Sequence, residues 1–420
     1  MASVCFYFQI HQPHRLRRYS VFDSKADYFD EEANAQIARK VADKCYLPAT
    51  QLILDLVRRH GKQFRVAYSI TGCVIEQLQA HCPKVIELLQ ELASTGCVEF
   101  LNETYYHSLS LLFSKHEFRA QVELHRKLME RLFGQTPCVF RNTELIYNND
   151  LARTIADWGR FRGIVTEGAD HILDYRSPNF LYHPPGFDRV SLLLKNYRLS
   201  DDIAFRFSNR SWNEWPLTTE KFVDWVHQIN GNGYVCNLFM DYETFGEHQW
   251  AETGIFDFIE ALPEKLLATG ANDFRTPSEC IESHPPVGDY DVPHVISWAD
   301  TERDLSAWLG NAMQSNSLHE LYKLEDPVKA TGDEQVLADW RRLTTSDHFY
   351  YMCTKYFADG DIHKYFNPYD SPYDSYINFM NVLENLRTRT RGGSTRESPN
   401  DPRVDLKVPS GQSHNLGAVV

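Results

Sequence analysis

The sequence predicts an α/β fold: a parallel sheet covered by helices, closed as a barrel or left open, followed by a helical region. Three observations carry this. Short apolar, β-rich runs recur up to about residue 271. Amphipathic runs of helical period lie between several of them. After residue 272 long helical patterns take over. Alternation of this kind places parallel strands under covering helices.

The strands are expected at 4–9, 64–69, 98–101, 138–141, 163–166, 191–195 and 234–240, each a short run rich in apolar and aromatic residues. The helix at 48–59 carries Leu52, Leu56 and Val57 on one face. The helix at 83–93 opens on a proline, tolerated in a first turn, and carries Val85, Leu88, Leu89 and Leu92. The run at 116–133 repeats Phe118, Val122, Leu128 and Leu132, and that at 217–228 repeats Phe222, Trp225 and Val226. In the second region helices are expected at 305–313, 333–345 and 371–386. The expected organisation is a barrel-type unit over 1–271, a helical region over 272–387 that completes the site, and a tail over 388–420. Gly, Ser, Pro and charged residues dominate that tail, a composition that does not sustain a packed core.

The chain has 420 residues and a formal net charge of −14, so it lacks the excess of Lys and Arg that a nucleic-acid backbone demands. The aromatic share is 13%, with 22 Tyr and 8 Trp, which suits sugar faces and ordinary cores alike. No run of about 18 apolar residues suggests a membrane span, and 4–10 is too short for the apolar stretch of a signal peptide. Nine cysteines, an odd number without a tight C-x-x-C, suit reduced thiols. A cytoplasmic protein is expected; its oligomeric state is not legible.

Four clusters of chemically capable residues fall at or just beyond strand ends, where α/β enzymes keep their sites. The first, His11-Gln12-Pro13-His14, supplies metal ligands, polar contacts to a substrate, or a turn with satisfied imidazoles. The second runs from Glu99 to Ser108 and includes His107; a capped strand end with exposed acids would carry the same residues. The third contains Arg141 and Glu144, placed so that the guanidinium holds the carboxylate ionised; an acid at a helix start is the plainer alternative. The fourth, Asp241-Tyr242-Glu243-Thr244-Phe245-Gly246, follows a buried strand, and its two acids share a side if the strand continues. Two carboxylates on different strand ends suit general acid–base plus nucleophilic work, as glycoside hydrolysis requires.

With 345–351 (Thr-Ser-Asp-His-Phe-Tyr-Tyr), the strings at 11–14, 140–145 and 241–246 resemble the family-57 glycoside hydrolases, and within them the α-amylase group. The resemblance spans 4–381 in the family's order. It implies an incomplete (β/α)7 barrel followed by a C-terminal helical region. It implies a retaining enzyme on an α-glucan such as starch, glycogen or maltodextrin, with no cofactor and no metal. Glu144 matches the nucleophile and Asp241 the general acid/base. His11, His107, Arg141, Glu243, Trp298 and Asp347 are expected to bind substrate; Asp201 and Asp202 are further candidates. Trp298 and Trp308, in an amylase-like segment, are expected as stacking platforms or as glue between the helical region and the barrel. Three rivals differ in chemistry or outcome. A metal-dependent hydrolase would ligate a metal through His11, His14, Asp241 and Glu243. A glucan-binding protein would not turn over, and a 4-α-glucanotransferase or branching enzyme would pass the sugar to another glucan.

Overall fold

The computed structural model describes residues 1–355 and 367–392. Among these residues nine strands form: β1 (Ala2–Ile10), β2 (Val66–Ile70), β3 (Val98–Phe100), β4 (Val139–Arg141), β5 (Gly163–Glu167), β6 (Leu181–Tyr182), β7 (Ser191–Lys195), β8 (Val235–Asp241) and β9 (Asn272–Phe274). The seven expected strands are all present, with ends shifted by a residue or two. β6 and β9 were not expected. They are two and three residues long, and Asn272-Asp273-Phe274 has no apolar run; β9 is made by pairing with β1.

β1 is buried along its whole length. It pairs in parallel with β2 on one side and β8 on the other, and β2 pairs in parallel with β3. A second sheet runs β4-β5-β7-β6, with β6 antiparallel at its edge. Two seams join the sheets. At the first, Asn102 extends β3 and bridges in parallel to Phe140, with its N–H donating to Val139 O at 3.0 Å and its carbonyl accepting from Arg141 N at 2.8 Å. At the second, Asn196 N donates to Asn237 O at 2.9 Å and Asn237 Nδ2 to Leu194 O at 3.0 Å. The parallel strands β1, β2, β3, β4, β5, β7 and β8 therefore go once round. This is the incomplete (β/α)7 barrel, with thin seams where a continuous sheet would have ladders.

Alternation along β1 separates two cores. Val4, Phe6, Phe8 and Ile10 face the covering helices, while Cys5 and Tyr7 face the barrel interior with Ala67, Leu101, Val139, Val165, Leu193 and Phe239. Burying each large apolar side chain of this kind contributes roughly 1.5–3 kcal/mol. The covering helices are Leu47–His60, Pro83–Ser94, Lys115–Phe133 and Thr219–His227, close to their expected bounds. Ser114 caps the third through a bond from Glu117 N at 3.1 Å, and Gly134 ends it in the left-handed conformation.

Beyond the barrel, Trp308, Leu318, Leu321, Trp340, Phe349, Phe379 and Leu383 form a separate helical core. It sits on Leu16, Leu109 and Ile146, from the loops after β1, β3 and β4, and so covers the carboxyl ends of those strands. The expected helix at 305–313 divides into Ser306–Leu309 and Ala312–Tyr322, because Asn311 caps the second. The last helix, Pro372–Gly392, runs past the expected tail boundary at 388; the rest of that tail lies outside the described residues. The division expected between 271 and 272 falls at the start of β9, which pairs with β1, and Tyr290, Val292 and Ile296 pack with Phe140 and Ile164. Among the described residues no helix is long and apolar enough to cross a membrane.

Candidate active site

The inward-facing residues of the barrel change character within one step. The interior layer at Tyr7, Ala67, Leu101, Val139, Val165, Leu193 and Phe239 is apolar or aromatic. Two residues further along each chain come Gln9, Ser69, Glu103, Arg141, Glu167, Lys195 and Asp241. A step of two keeps a side chain on the same face of a strand, so these seven form a polar floor at the carboxyl end of the barrel. Buried charges must be paired. Glu103 Oε2 lies 3.3 Å from Arg141 Nη1, and Glu167 Oε2 lies 3.8 Å from Lys195 Nζ. Asp241 is left over, partly exposed and, among the described residues, with no side-chain hydrogen bond.

Loops build the wall above this floor. Glu144 sits just past β4 at φ 57°, in the left-handed region, followed by Leu145 at φ 51°. Its Oε1 accepts from His107 Nε2 at 3.0 Å and Ser346 Oγ at 3.2 Å, and its Oε2 accepts from Trp298 Nε1 at 2.7 Å. Burial works to raise its pKa, but the hydrogen bond and charge of His107, with Arg141, hold it below the ordinary glutamate value. His107 lies between two acids, with Nδ1 3.5 Å from Glu103 Oε2 and also 3.5 Å from Arg141 Nη1. A carboxylate only accepts and a guanidinium only donates, so Nδ1 faces one partner that favours its proton and one that opposes it, while Nε2 donates to Glu144. Against burial, Glu103 and Glu144 push its pKa up to about 9.

His107 stacks on His11, with centroids 4.0 Å apart. His11 Nδ1 meets Thr71 Oγ1 at 2.9 Å, and its Nε2 meets Asp347 Oδ2 at 3.0 Å. Burial and then the neighbouring His107 lower the His11 pKa. The Asp347 carboxyl is held far below its ordinary range, because His11 outweighs the effect of burial. Asp241 goes the other way: burial, then the charge of Glu144, push it up to about 6, with Arg141, Lys195 and His107 opposing. The two carboxyls are thus close enough to act on each other, and their environments bias them in opposite directions.

Left-handed backbone is concentrated here. Among the described residues, of six non-glycine residues with positive φ, five are in site loops (His107, Glu144, Leu145, Asp300, Arg303) and one, Asp174, is elsewhere. Such conformations cost on the order of 1–3 kcal/mol each and persist where surrounding contacts fix them.

Several expectations need correction. Arg141 does not bond Glu144; it bonds Glu103, and His107 supplies the direct contact. The β8 strand ends at Asp241 and a tight turn covers Tyr242–Thr244, so Glu243 does not continue on the Asp241 face. It is buried against Gln12 and Tyr46, and burial followed by the Asp241 charge pushes its pKa up to about 8. Trp298 is no free platform: Lys195 Nζ lies 5.0 Å over its ring, Phe239 packs at 5.1 Å, and its N–H is used by Glu144. Trp308 is buried in the helical core and offers no open face for a sugar. Asp201 pairs with Lys195, while Asp202 pairs with Arg206.

The metal set of the rival reading is not assembled, since His14 turns to Glu76 at 3.3 Å. His11, His107 and Asp347 do bring donor atoms within 4.8 Å of one another. These donors are already engaged: His11 with Thr71 and Asp347, His107 with Glu103 and Glu144, and the two rings stack. The motifs assign no role to Glu103, Glu167, Lys195, Ser346 or Arg303, although Glu103 lies in the second cluster and Ser346 in the 345–351 string. The first three carry a legible signal, a polar residue two positions beyond the last inward apolar residue of a strand. Ser346 and Arg303 do not follow that pattern.

An α/β barrel with two oppositely biased carboxyls at its carboxyl end suits glycoside hydrolysis, which works with one ionised and one protonated carboxyl. The chain belongs to glycosyl hydrolase family 57, whose model matches residues 5–293. It is 42% identical over 394 residues to a Methanocaldococcus jannaschii protein carrying the provisional name alpha-amylase, covering 90% of this chain and 83% of that one. Its fold is similar to that of the branching enzyme from Pyrococcus horikoshii (TM-score 0.67, 14% identity, 94% of this chain and 92% of that one). It is also similar to the 4-alpha-glucanotransferase from Thermococcus litoralis (TM-score 0.64, 14% identity), matched over 83% of this chain but only 56% of the length of that enzyme.

Proposed function

We propose that this glycoside hydrolase cleaves α-1,4-glucosidic bonds of starch, glycogen or maltodextrins by double displacement, as an α-amylase does. Glu144 attacks the anomeric carbon while Asp241 gives its proton to the departing oxygen. Asp241, now ionised, takes a proton from water, which releases the sugar from Glu144 with the configuration retained. The observation that supports this most is the opposed state of the two carboxyls. Three donors converge on Glu144 and favour its charge, whereas Asp241 accepts no side-chain hydrogen bond among the described residues and is pushed up to about 6. The nature of the 42% identical relative supports the α-amylase choice. Nine cysteines, unpaired in the structure, suit a cytoplasmic setting.

Product analysis on maltoheptaose and amylose tests the reading. Shorter maltodextrins with one new reducing end per bond cleaved are expected, and Glu144→Gln should lower turnover by a factor of at least ~10³ with the fold intact. Chain-length redistribution or new branches without net reducing ends would replace hydrolysis by transfer. Wild-type turnover by Glu144→Gln would overturn the assignment.

A further inference from the structure

The floor contains a cation to which this chemistry gives no task. Lys195 ends β7 with a side chain only 3% exposed. Removing an ammonium from water costs several kcal/mol unless it is compensated. Its partners are Asp201 Oδ1 at 3.3 Å and Glu167 Oε2 at 3.8 Å. That Glu167 oxygen is buried without a hydrogen bond, so it acts on its cations through charge. It also lies 3.6 Å from Arg303 Nη1, and the same guanidinium donates to the Trp298 carbonyl and lies over the Tyr197 ring at 4.8 Å.

These contacts lead to both carboxyls. Lys195 Nζ lies on the Trp298 ring, whose N–H donates to Glu144. The same ring packs on Phe239, two residues before Asp241 on the same face of β8, and β7 lies beside β8 through the Asn196–Asn237 bond. We propose that Lys195, with Glu167 as its counter-ion, is a positioning residue for the pair: it seats the indole that grips Glu144 and presents positive charge to Asp241. This rests on the roles proposed for Glu144 and Asp241.

The titratable and charged groups around Asp241 are Glu144 and His107 from loops, Arg141 from β4, Lys195 from β7 and Glu243, itself pushed towards its protonated form, from the following turn. Those around Lys195 are Glu167, Asp201 and, through Glu167, Arg303. Removing Lys195 favours the protonated form of Asp241. Removing the Glu167 charge leaves Lys195 and Arg303 less compensated and favours the ionised form. The two changes therefore move the alkaline limb of activity in opposite directions, a result that loosened packing alone would not give.

The test is the pH dependence of kcat/KM on maltoheptaose for Lys195→Met, Glu167→Gln and the double variant. The alkaline limb is expected to rise by about half a pH unit or more in K195M and to fall by a similar amount in E167Q. The double variant should lie between them, and kcat should drop about tenfold in K195M. An unmoved limb in both single variants, or shifts of the same sign, would overturn the assignment. Should K195M fail to fold, E167Q and the double variant carry the comparison: the limb must be lower in E167Q than in the double variant, and equal limbs overturn it. Asp241→Asn separates the two levels. If that variant keeps glucan cleavage with the wild-type alkaline limb, the proposed acid/base role fails, whatever Lys195 does.

Discussion

The His107 imidazole touches Glu144 through one ring nitrogen, 3.0 Å from Oε1, while its other nitrogen faces Glu103. The nucleophile candidate is therefore held by a cation that is itself held by a second buried acid. Arg141 reinforces Glu103, whose carboxyl is kept ionised at about 2 by His107 and Arg141 against the effect of burial. The Glu144 charge is set by this buried group of charges, with His107 its only direct ionic partner among them.

Replacing His107 by Gln should raise the pKa of Glu144. Glu144 must be ionised to attack, so the acid limb of kcat/KM moves to higher pH, and kcat falls by about 10- to 100-fold. A pH–rate profile of H107Q on maltoheptaose checks both; an acid limb at its wild-type position would contradict the contact's role.

Folding stability should carry the same signature. The folded-state pKa of His107 is raised to about 9 from an ordinary 6.5. Its contribution is therefore full below about pH 6.5 and is lost as the pH rises through about 9. Thermal unfolding from pH 6 to 10 should show a fall in Tm over that window, and H107Q should show a smaller fall.

The wild-type profile should be a narrow bell on the acid side of neutrality. Glu144 titrates below its ordinary value, and Asp241, whose protonated form is needed, titrates near 6. Because the two carboxyls interact, the limbs report the pair. Activity should decline above about pH 6, and a plateau through pH 8 in kcat/KM would count against Asp241 as the acid.

Asp241→Asn should lower turnover of maltoheptaose by roughly 10²- to 10⁴-fold. An aryl α-maltoside with a good leaving group needs little protonation, so its cleavage step should suffer much less. Comparing the first-turnover rates of the two substrates checks this, and equal losses would point to a structural effect.

Trp298→Phe keeps a ring between Lys195 and Phe239 but removes the N–H that Glu144 accepts. The expected outcome is a 10- to 100-fold loss in kcat with KM nearly unchanged. Ser346→Ala, which removes a 3.2 Å donor, should cost about tenfold. A stacking role for Trp298 would instead raise KM and leave kcat in place.

Much of this architecture was written in local pattern. Apolar runs of strand length and helical repeats such as Pro83–Ser94 report on burial one element at a time, and burial in this fold follows strand and helix period. The two carboxyls were legible because each lies in a short string at a strand end. β9 was not legible, since its pairing comes from β1 rather than from its own residues. Nor was the turn that swings Glu243 away from Asp241, two positions along the chain.

The sequence by itself determined the alternation of strands and helices and the step from apolar to polar at the inward positions of the strands, and it singled out Glu144 and Asp241 as candidates. Tertiary structure alone decided their states. His107, Trp298 and Ser346 reach Glu144 from 37, 154 and 202 residues away. Whether a carboxyl is charged depends on the donors and charges within a few ångströms of it, and closing the barrel under the helical region is what brings those groups to Glu144 and leaves Asp241 without them.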